Sequence, residues 1–150
     1  MNLESNGKSV TIHKLFGRET GVSIDIEANL SIIWKILTNL EEYPQWTTTI
    51  ISLSGVLAEG EKIVLISILD PKRKFKLKIK KIEKEKSFTW GDALGMRVFT
   101  LTPKGNIINF SMKEKIGGPF FPLFAKQIPS FDSSFEQFAL DLKKVAENKK

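Results

Sequence analysis

From Ile50 to Ile116 the apolar residues of this chain fall into successive short runs, separated by turn formers at Gly60, Asp70-Pro71, Gly91, Gly95 and Pro103-Lys104-Gly105. The pattern predicts strands at about 50–57, 61–69, 74–84, 86–91, 97–103 and 107–116. Consecutive strands joined by short turns pair antiparallel, and the apolar face of the resulting sheet has to be covered by another element. The cover lies at the C-terminus. Phe131, Phe135, Phe138, Leu142 and Val145 recur at steps of four and three, one stripe on one long helix. Glu136, Gln137, Asp141, Lys143 and Lys144 occupy its other side, and Ser130 is placed to cap it. The preceding PFFPLFAKQIP is apolar enough for a short helical segment. Pro129 has no amide proton to donate and should break or kink the helix there.

Ahead of the strand run, GVSIDIEA alternates through Val22, Ile24 and Ile26 and reads as a strand. Asn29 can cap LSIIWKILTNL, in which Leu30, Ile33, Trp34 and Leu37 share a helical face. A second helical turn at Leu40–Tyr43 should end before Pro44, because proline disfavours helix in the residue ahead of it. Residues 1–19 are polar, and only Val10, Ile12, Leu15 and Phe16 could pack, so they are expected to be a flexible N-terminal extension. Residues 20–150 are expected to form a single domain of ordinary size. The expected fold class is α+β: a curved antiparallel sheet of about seven strands wrapped around a long C-terminal helix, with two short helices after the first strand.

The most conspicuous local composition is KRKFKLKIKKIEKEK, residues 72–86, with nine of the chain's 23 lysines and arginines. Against Glu83 and Glu85 this gives a local charge of +7, while the whole chain carries +6. A nucleic-acid-binding surface gathers cations from several elements and interleaves aromatics on the basic face. Here the cations sit in one segment, and Phe75, Leu77 and Ile79 alternate strictly with Lys74, Lys76, Lys78 and Lys80. The run is therefore read as a strand with lysines on its wet face, which also discourages edge-to-edge pairing. No nucleic-acid partner is expected. The alternation breaks at Lys80-Lys81, where a bulge is expected. A tight turn centred on Pro71-Lys72 would place Val64, Ile66 and Ile68 opposite Ile79, Leu77 and Phe75, all six on one apolar face.

With no cysteine and one histidine, His13, the chain offers neither thiolate nor multi-histidine metal sites and no histidine-based triad within the strand region, so no metal and no cofactor are expected. The first residues lack the apolar core of a signal peptide, and the longest aliphatic run, roughly Ile63–Leu69, is too short to span a bilayer. A soluble, cytoplasmic protein without stable membrane insertion is the expectation.

IDIEANLSIIWKILTNLEEYPQW resembles the opening of the START and polyketide cyclase (SRPBCC) superfamily: an alanine before the first helix, a tryptophan within it, then a tyrosine-proline-tryptophan-like stretch, here Ala28, Trp34, Tyr43, Pro44 and Trp46. Gly55 and Gly60 follow at fitting distances, then Trp90, Phe99 and Leu101 in FTWGDALGMRVFTLTPKG, then Glu114, Gly118 and the final helix. The similarity covers about residues 20–147. It implies a helix-grip fold with a hydrophobic cavity, used by relatives to bind lipids, polyketides, sterols or plant hormones and by a minority for catalysis.

The expected function is binding of a hydrophobic or amphipathic small molecule, lipid-like or polyketide-like, between the sheet and the C-terminal helix. The residues expected to line the site are Val64, Ile66, Phe75, Leu77, Ile79, Phe88, Trp90, Phe99, Leu101, Phe110, Met112, Glu114, Phe131, Phe135 and Phe138. For each aromatic among them plain core packing is the default and contact with a bound ligand the alternative. Glu114 shares strand parity with Ile108, Phe110, Met112 and Ile116, so its carboxylate is either exposed at the strand end or a polar anchor in the pocket. Trp34 and Trp46 read as packing residues, and so does Tyr43. No catalytic residue is assigned. A cyclase or dehydratase would need convergent proton-transfer groups, and the test for one is whether Asp92, Arg97 and Glu114 meet in one pocket. A protein-partner module of the chaperone-activator type, using the lysine face, is the third reading.

Overall fold

The computed structural model describes residues 6–149. Eight strands, β1 (Val10–Lys14), β2 (Gly17–Ile26), β3 (Ile50–Ser54), β4 (Lys62–Ser67), β5 (Phe75–Glu83), β6 (Ser87–Gly91), β7 (Gly95–Lys104) and β8 (Ile107–Gly117), form one antiparallel sheet in the order β1-β2-β8-β7-β6-β5-β4-β3. Helices α1 (Leu30–Thr38) and α2 (Tyr43–Trp46) connect β2 to β3. After β8 come α3 (Phe121–Phe124) and the 17-residue α4 (Asp132–Asn148). The α4 stripe of Phe135, Phe138, Ala139, Leu142 and Ala146 is buried on the sheet, with Phe131 and Val145 packed at its margin.

The sheet has one strand more than the sequence pattern predicts, and it comes from the segment expected to be a flexible extension. Residues 10–14 pair with 17–21 as a hairpin arm. Two polar links hold this arm to α4. The Thr11 hydroxyl donates to Asp132 Oδ1 (2.6 Å), and Ser9 donates its hydroxyl to the same oxygen (2.8 Å) and its amide to Glu136 Oε2 (2.9 Å). Polar residues had argued against packing, yet here polarity is the attachment. The Thr11 hydroxyl hydrogen bond, with help from Ser9, Ser130 and the Arg18 charge, draws the Asp132 pKa below the usual carboxylate value against the opposing effect of burial. A depressed folded-state pKa contributes stability that is complete above the unfolded value, near 4, and fades as pH falls through the lower folded value. Asp132→Asn is therefore expected to destabilise at neutral pH by about 1–2 kcal/mol and to flatten the loss of stability below about pH 4, measured by urea unfolding across that range.

Three local expectations are corrected. Asn29 sits at the N-cap of α1, but its backbone carbonyl accepts from Ile32 and Ile33 while its side chain makes no capping bond. Pro44 does not end a helical turn. The turn Leu40–Glu42 is 3₁₀, and Pro44 lies in the first turn of α2, where a missing amide proton leaves nothing unsatisfied. Ser130 is not the cap of α4 either: the N-cap is Phe131 without a side-chain bond, and Ser130, one residue earlier, accepts from the Asp132 amide at 3.2 Å.

The β4–β5 register also differs from the expected one. Phe75 lies opposite Leu65 and Leu77 opposite Ile63, so Val64 falls opposite Lys76. The connection is not a two-residue turn but runs from Ile68 to Lys74, with Asp70 bonded to Ser67 and Arg73 to Asp70. Phe75 therefore meets Leu65 instead of Ile68, an offset of three residues, and an odd offset exchanges the two faces of β4. Ile63 and Leu65 are buried, and Val64 and Ile66 belong to the convex side with the lysines. In β5 the reading holds: Lys74, Lys76, Lys78 and Lys80 are exposed, Ile79 is buried, and the register shifts between Ile79 and Lys81.

Candidate functional site

Between the sheet and α4 the aromatic side chains divide into two groups. Phe88 stacks on Phe99 (centroids 4.4 Å apart), with Trp90 edge-on to Phe99 (4.7 Å) and Phe110 beside Phe138 (6.0 Å). Together with Ile79 and Leu101 they make a packed core under the middle of α4. Trp34 closes α1 onto Phe88, and Trp46 packs against Tyr43 and Phe138, as expected of anchoring tryptophans. Tyr43 is fully buried and donates its hydroxyl to the Leu37 carbonyl (2.7 Å). Burial drives its pKa far above the ordinary phenol range, which keeps the hydroxyl protonated in that bond.

Towards the N-terminal end of α4 the packing opens into a cavity of about 210 Å³. Its walls are Leu65, Phe75 and Leu77 from β4 and β5, Trp90 from β6, Met112, Glu114 and Ile116 from β8, and Phe131, Phe135 and Phe138 from the helix side. Its mouth is formed by Leu69, Asp70 and Arg73 of the β4–β5 loop, Asp92 and Leu94 of the β6–β7 turn, and Gln127–Pro129. Of the residues expected from sequence, Phe75, Leu77, Trp90, Met112, Glu114, Phe131, Phe135 and Phe138 line this space. Ile79, Phe88, Phe99, Leu101 and Phe110 are placed in the packed core instead, and Val64 and Ile66 on the opposite face. Leu65 was missed because KIVLIS is apolar at both parities, so alternation cannot choose its inner face. The loop residues carry no periodicity at all.

One ion pair is set into this wall. Arg97 Nε donates to Glu114 Oε1 at 2.7 Å, both side chains are half-buried, and the pair joins directly opposed positions of β7 and β8. The Arg97 guanidinium lies 4.9 Å from the Phe135 ring centroid, while Arg73 covers Phe75 at 4.4 Å. Arg18 is buried beside Phe131 and donates to the Ile128 and Pro129 carbonyls, fixing the α3–α4 connection to β2. Glu114 thus has a partner on the inner face and is neither solvated nor unpaired. Asp92, Arg97 and Glu114 do line one pocket. Asp92 Oδ1, however, accepts from the Leu94 and Gly95 amides and shapes the turn. Among the described residues no group of three or more His, Asp or Glu side chains is placed to hold a metal ion.

None of the ladder lysines borders the cavity. Replacing Lys74, Lys76, Lys78 and Lys80 with glutamine is expected to leave small-molecule affinity unchanged within about twofold, since exposed charges are screened beyond about 8 Å. The same variant should elute earlier from heparin, with circular dichroism confirming the fold.

No family model matches the chain, and no curated protein matches it in sequence. Solved structures do. The chain is similar to EF2215, a conserved protein of unknown function from Enterococcus faecalis, at 18% identity and TM-score 0.70, covering 97% of this chain and 80% of that one. It is similar to a START superfamily protein from Mycobacterium smegmatis at 16% identity and TM-score 0.64, covering 88% and 99%. It is also similar to DynU16, a protein of the dynemicin biosynthetic locus, at 16% identity and TM-score 0.62, covering 88% of this chain and 48% of that one. The architecture is the START-like helix-grip fold of the SRPBCC proteins. At these identities the likeness is one of fold. No helix among the described residues is long and apolar enough to cross a membrane.

Proposed function

We propose that this protein binds a hydrophobic or amphipathic small molecule in the cavity between the sheet and the N-terminal half of α4. The observation that carries the reading is the composition of the walls: Phe75, Leu77, Trp90, Phe131, Phe135 and Phe138 surround open space, Arg97 and Glu114 are paired with each other, and Arg73 is laid on the Phe75 ring. An apolar enclosure with a few fixed polar groups suits an apolar body with one polar end. The helix-grip fold of the START superfamily protein and of DynU16 agrees with such a use. A cyclase or dehydratase reading has less support, because Arg97 and Glu114 neutralise each other and Tyr43 is locked in the core.

Of the three tryptophans only Trp90 lies on the cavity wall. Titration with a panel of fatty acids, aromatic polyketides and sterols should give a saturable change in tryptophan emission for at least one class, lost in Trp90→Phe. Native mass spectrometry of protein purified from its own organism should show a bound mass. A flat response across the panel together with ligand-free native protein would count against the reading.

A further inference from the structure

We infer that the rim of the cavity mouth is a docking face for an anionic lipid bilayer. Three connections are laced together there by backbone hydrogen bonds: Gly117 N to the Leu94 carbonyl (3.0 Å) and Gly118 N to the Phe16 carbonyl (3.0 Å) tie the β6–β7 turn and the β1–β2 turn to the segment leading into α3. Gly17 and Gly117 allow the close approach, since a Cβ on Gly117 would stand 2.6 Å from the Phe16 carbonyl oxygen. The β4–β5 loop reaches the same end of the sheet, where Leu69 and Leu94 border one cavity.

The tips of these connections are apolar and bare. Leu15 is 72% exposed, Phe16 56%, Phe120 69% and Leu123 80%, with Leu69 and Leu94 also exposed at the mouth itself. Single exposed apolar residues need no explanation, but a group on adjoining turns does. The opposite end of the sheet makes the contrast. There the β5–β6 turn is Lys84-Glu85-Lys86 and the β7–β8 turn is Gly105-Asn106, and among the described residues only Val56 of the large apolar side chains on the turns at that end is exposed.

The charges between the tips choose the partner. Lys14, Lys72 and Lys126 stand exposed on the same connections, and Arg73 and Lys74 follow in the β4–β5 loop. The carboxylates at this end are fewer: Glu19 lies 3.9 Å from Lys14, Asp92 is taken up by its turn amides, and Asp70 stands in the loop. Protein interfaces are depleted in lysine. Apolar tips interleaved with lysines suit the bilayer interface, where the tips enter the acyl boundary and the ammonium groups meet anionic headgroups. The proposal extends the cavity reading, since a mouth opening onto lipid gives an apolar ligand a route that avoids water.

Vesicle flotation tests it, using phosphatidylcholine alone and phosphatidylcholine mixed with phosphatidylglycerol. The wild type should float with the mixed vesicles, much less with the neutral ones, and less as salt rises. Phe16→Ser/Phe120→Ser/Leu123→Ser and Lys14→Gln/Lys72→Gln/Lys126→Gln should each lose about tenfold or more in partition. Neither set lines the cavity, so both variants should keep the wild-type thermal transition and the Trp90 response to the small-molecule panel. Vesicle binding without any panel response supports the docking face while removing the cavity reading. Absence of flotation in the wild type, or equal flotation of wild type and both variants, overturns the docking face. So does a concentration-dependent dimer in sedimentation velocity that the Phe16/Phe120/Leu123 variant abolishes, because the occupant is then a second copy of the chain.

Discussion

Phe138→Ala is expected to cost about 3–5 kcal/mol of unfolding free energy, the range for removing a buried aromatic side chain. Its ring is buried where four others converge: Trp46 at 5.2 Å, Tyr43 at 5.9 Å, Phe110 at 6.0 Å and Phe99 at 6.1 Å. One side chain thus fastens α4 to α2, β7 and β8 at once, and its loss leaves a void that rigid neighbours on three elements cannot fill. Domains are stable by only about 5–15 kcal/mol, so the variant should lose about a fifth of its margin or more. Urea denaturation measures this directly. Leu140→Ala, on the exposed side of the same helix, should stay within about 0.5 kcal/mol of wild type. Similar costs for the two would mean that α4 is not gripped along this face.

Leu77→Trp should weaken small-molecule binding sharply while leaving the fold in place. Leu77 is half-buried on the cavity wall opposite Ile63, and a larger side chain there extends into open space instead of into packed core. Filling a cavity of about 210 Å³ with an indole removes most of the room for a ligand. Affinity for the tightest binder of the panel should drop by about tenfold to a hundredfold, the worth of one or two lost apolar contacts. Stability should move by no more than about 1–3 kcal/mol. The measurement is a ligand titration beside a thermal melt. Full affinity in a folded Leu77→Trp protein would place the site elsewhere.

Much of this arrangement is legible in the residues because period is a strong signal. The lysine alternation of β5 fixes which face is wet, and the stripe from Phe131 to Val145 identifies the helix that the sheet grips. What stayed hidden has physical reasons. KIVLIS is apolar at both parities, so its inner face depends on a loop whose length the sequence does not state. β1 packs through Ser9 and Thr11 onto Asp132, and hydroxyl-to-carboxylate attachment leaves no hydrophobic pattern. Pro44 starts a turn instead of stopping one, a choice that depends on the residues before it folding as 3₁₀. The aromatic count pointed to the inner layer, but no pattern says which rings meet each other and which face open space. Phe88 and Phe99 stack into core, whereas Phe75 and Phe131 border the cavity.

Methyl-resolved NMR of the wild type, titrated with the tightest binder of the panel, bears most directly on the claim that this chain carries a ligand between sheet and helix. The methyl groups of Leu65, Leu77, Met112 and Ile116 on the cavity wall should shift saturably and together, while those of Val64, Ile66 and Val98 on the convex face stay in place. Saturable shifts on Val64, Ile66 and Val98, with Leu77 and Met112 unmoved, would contradict it.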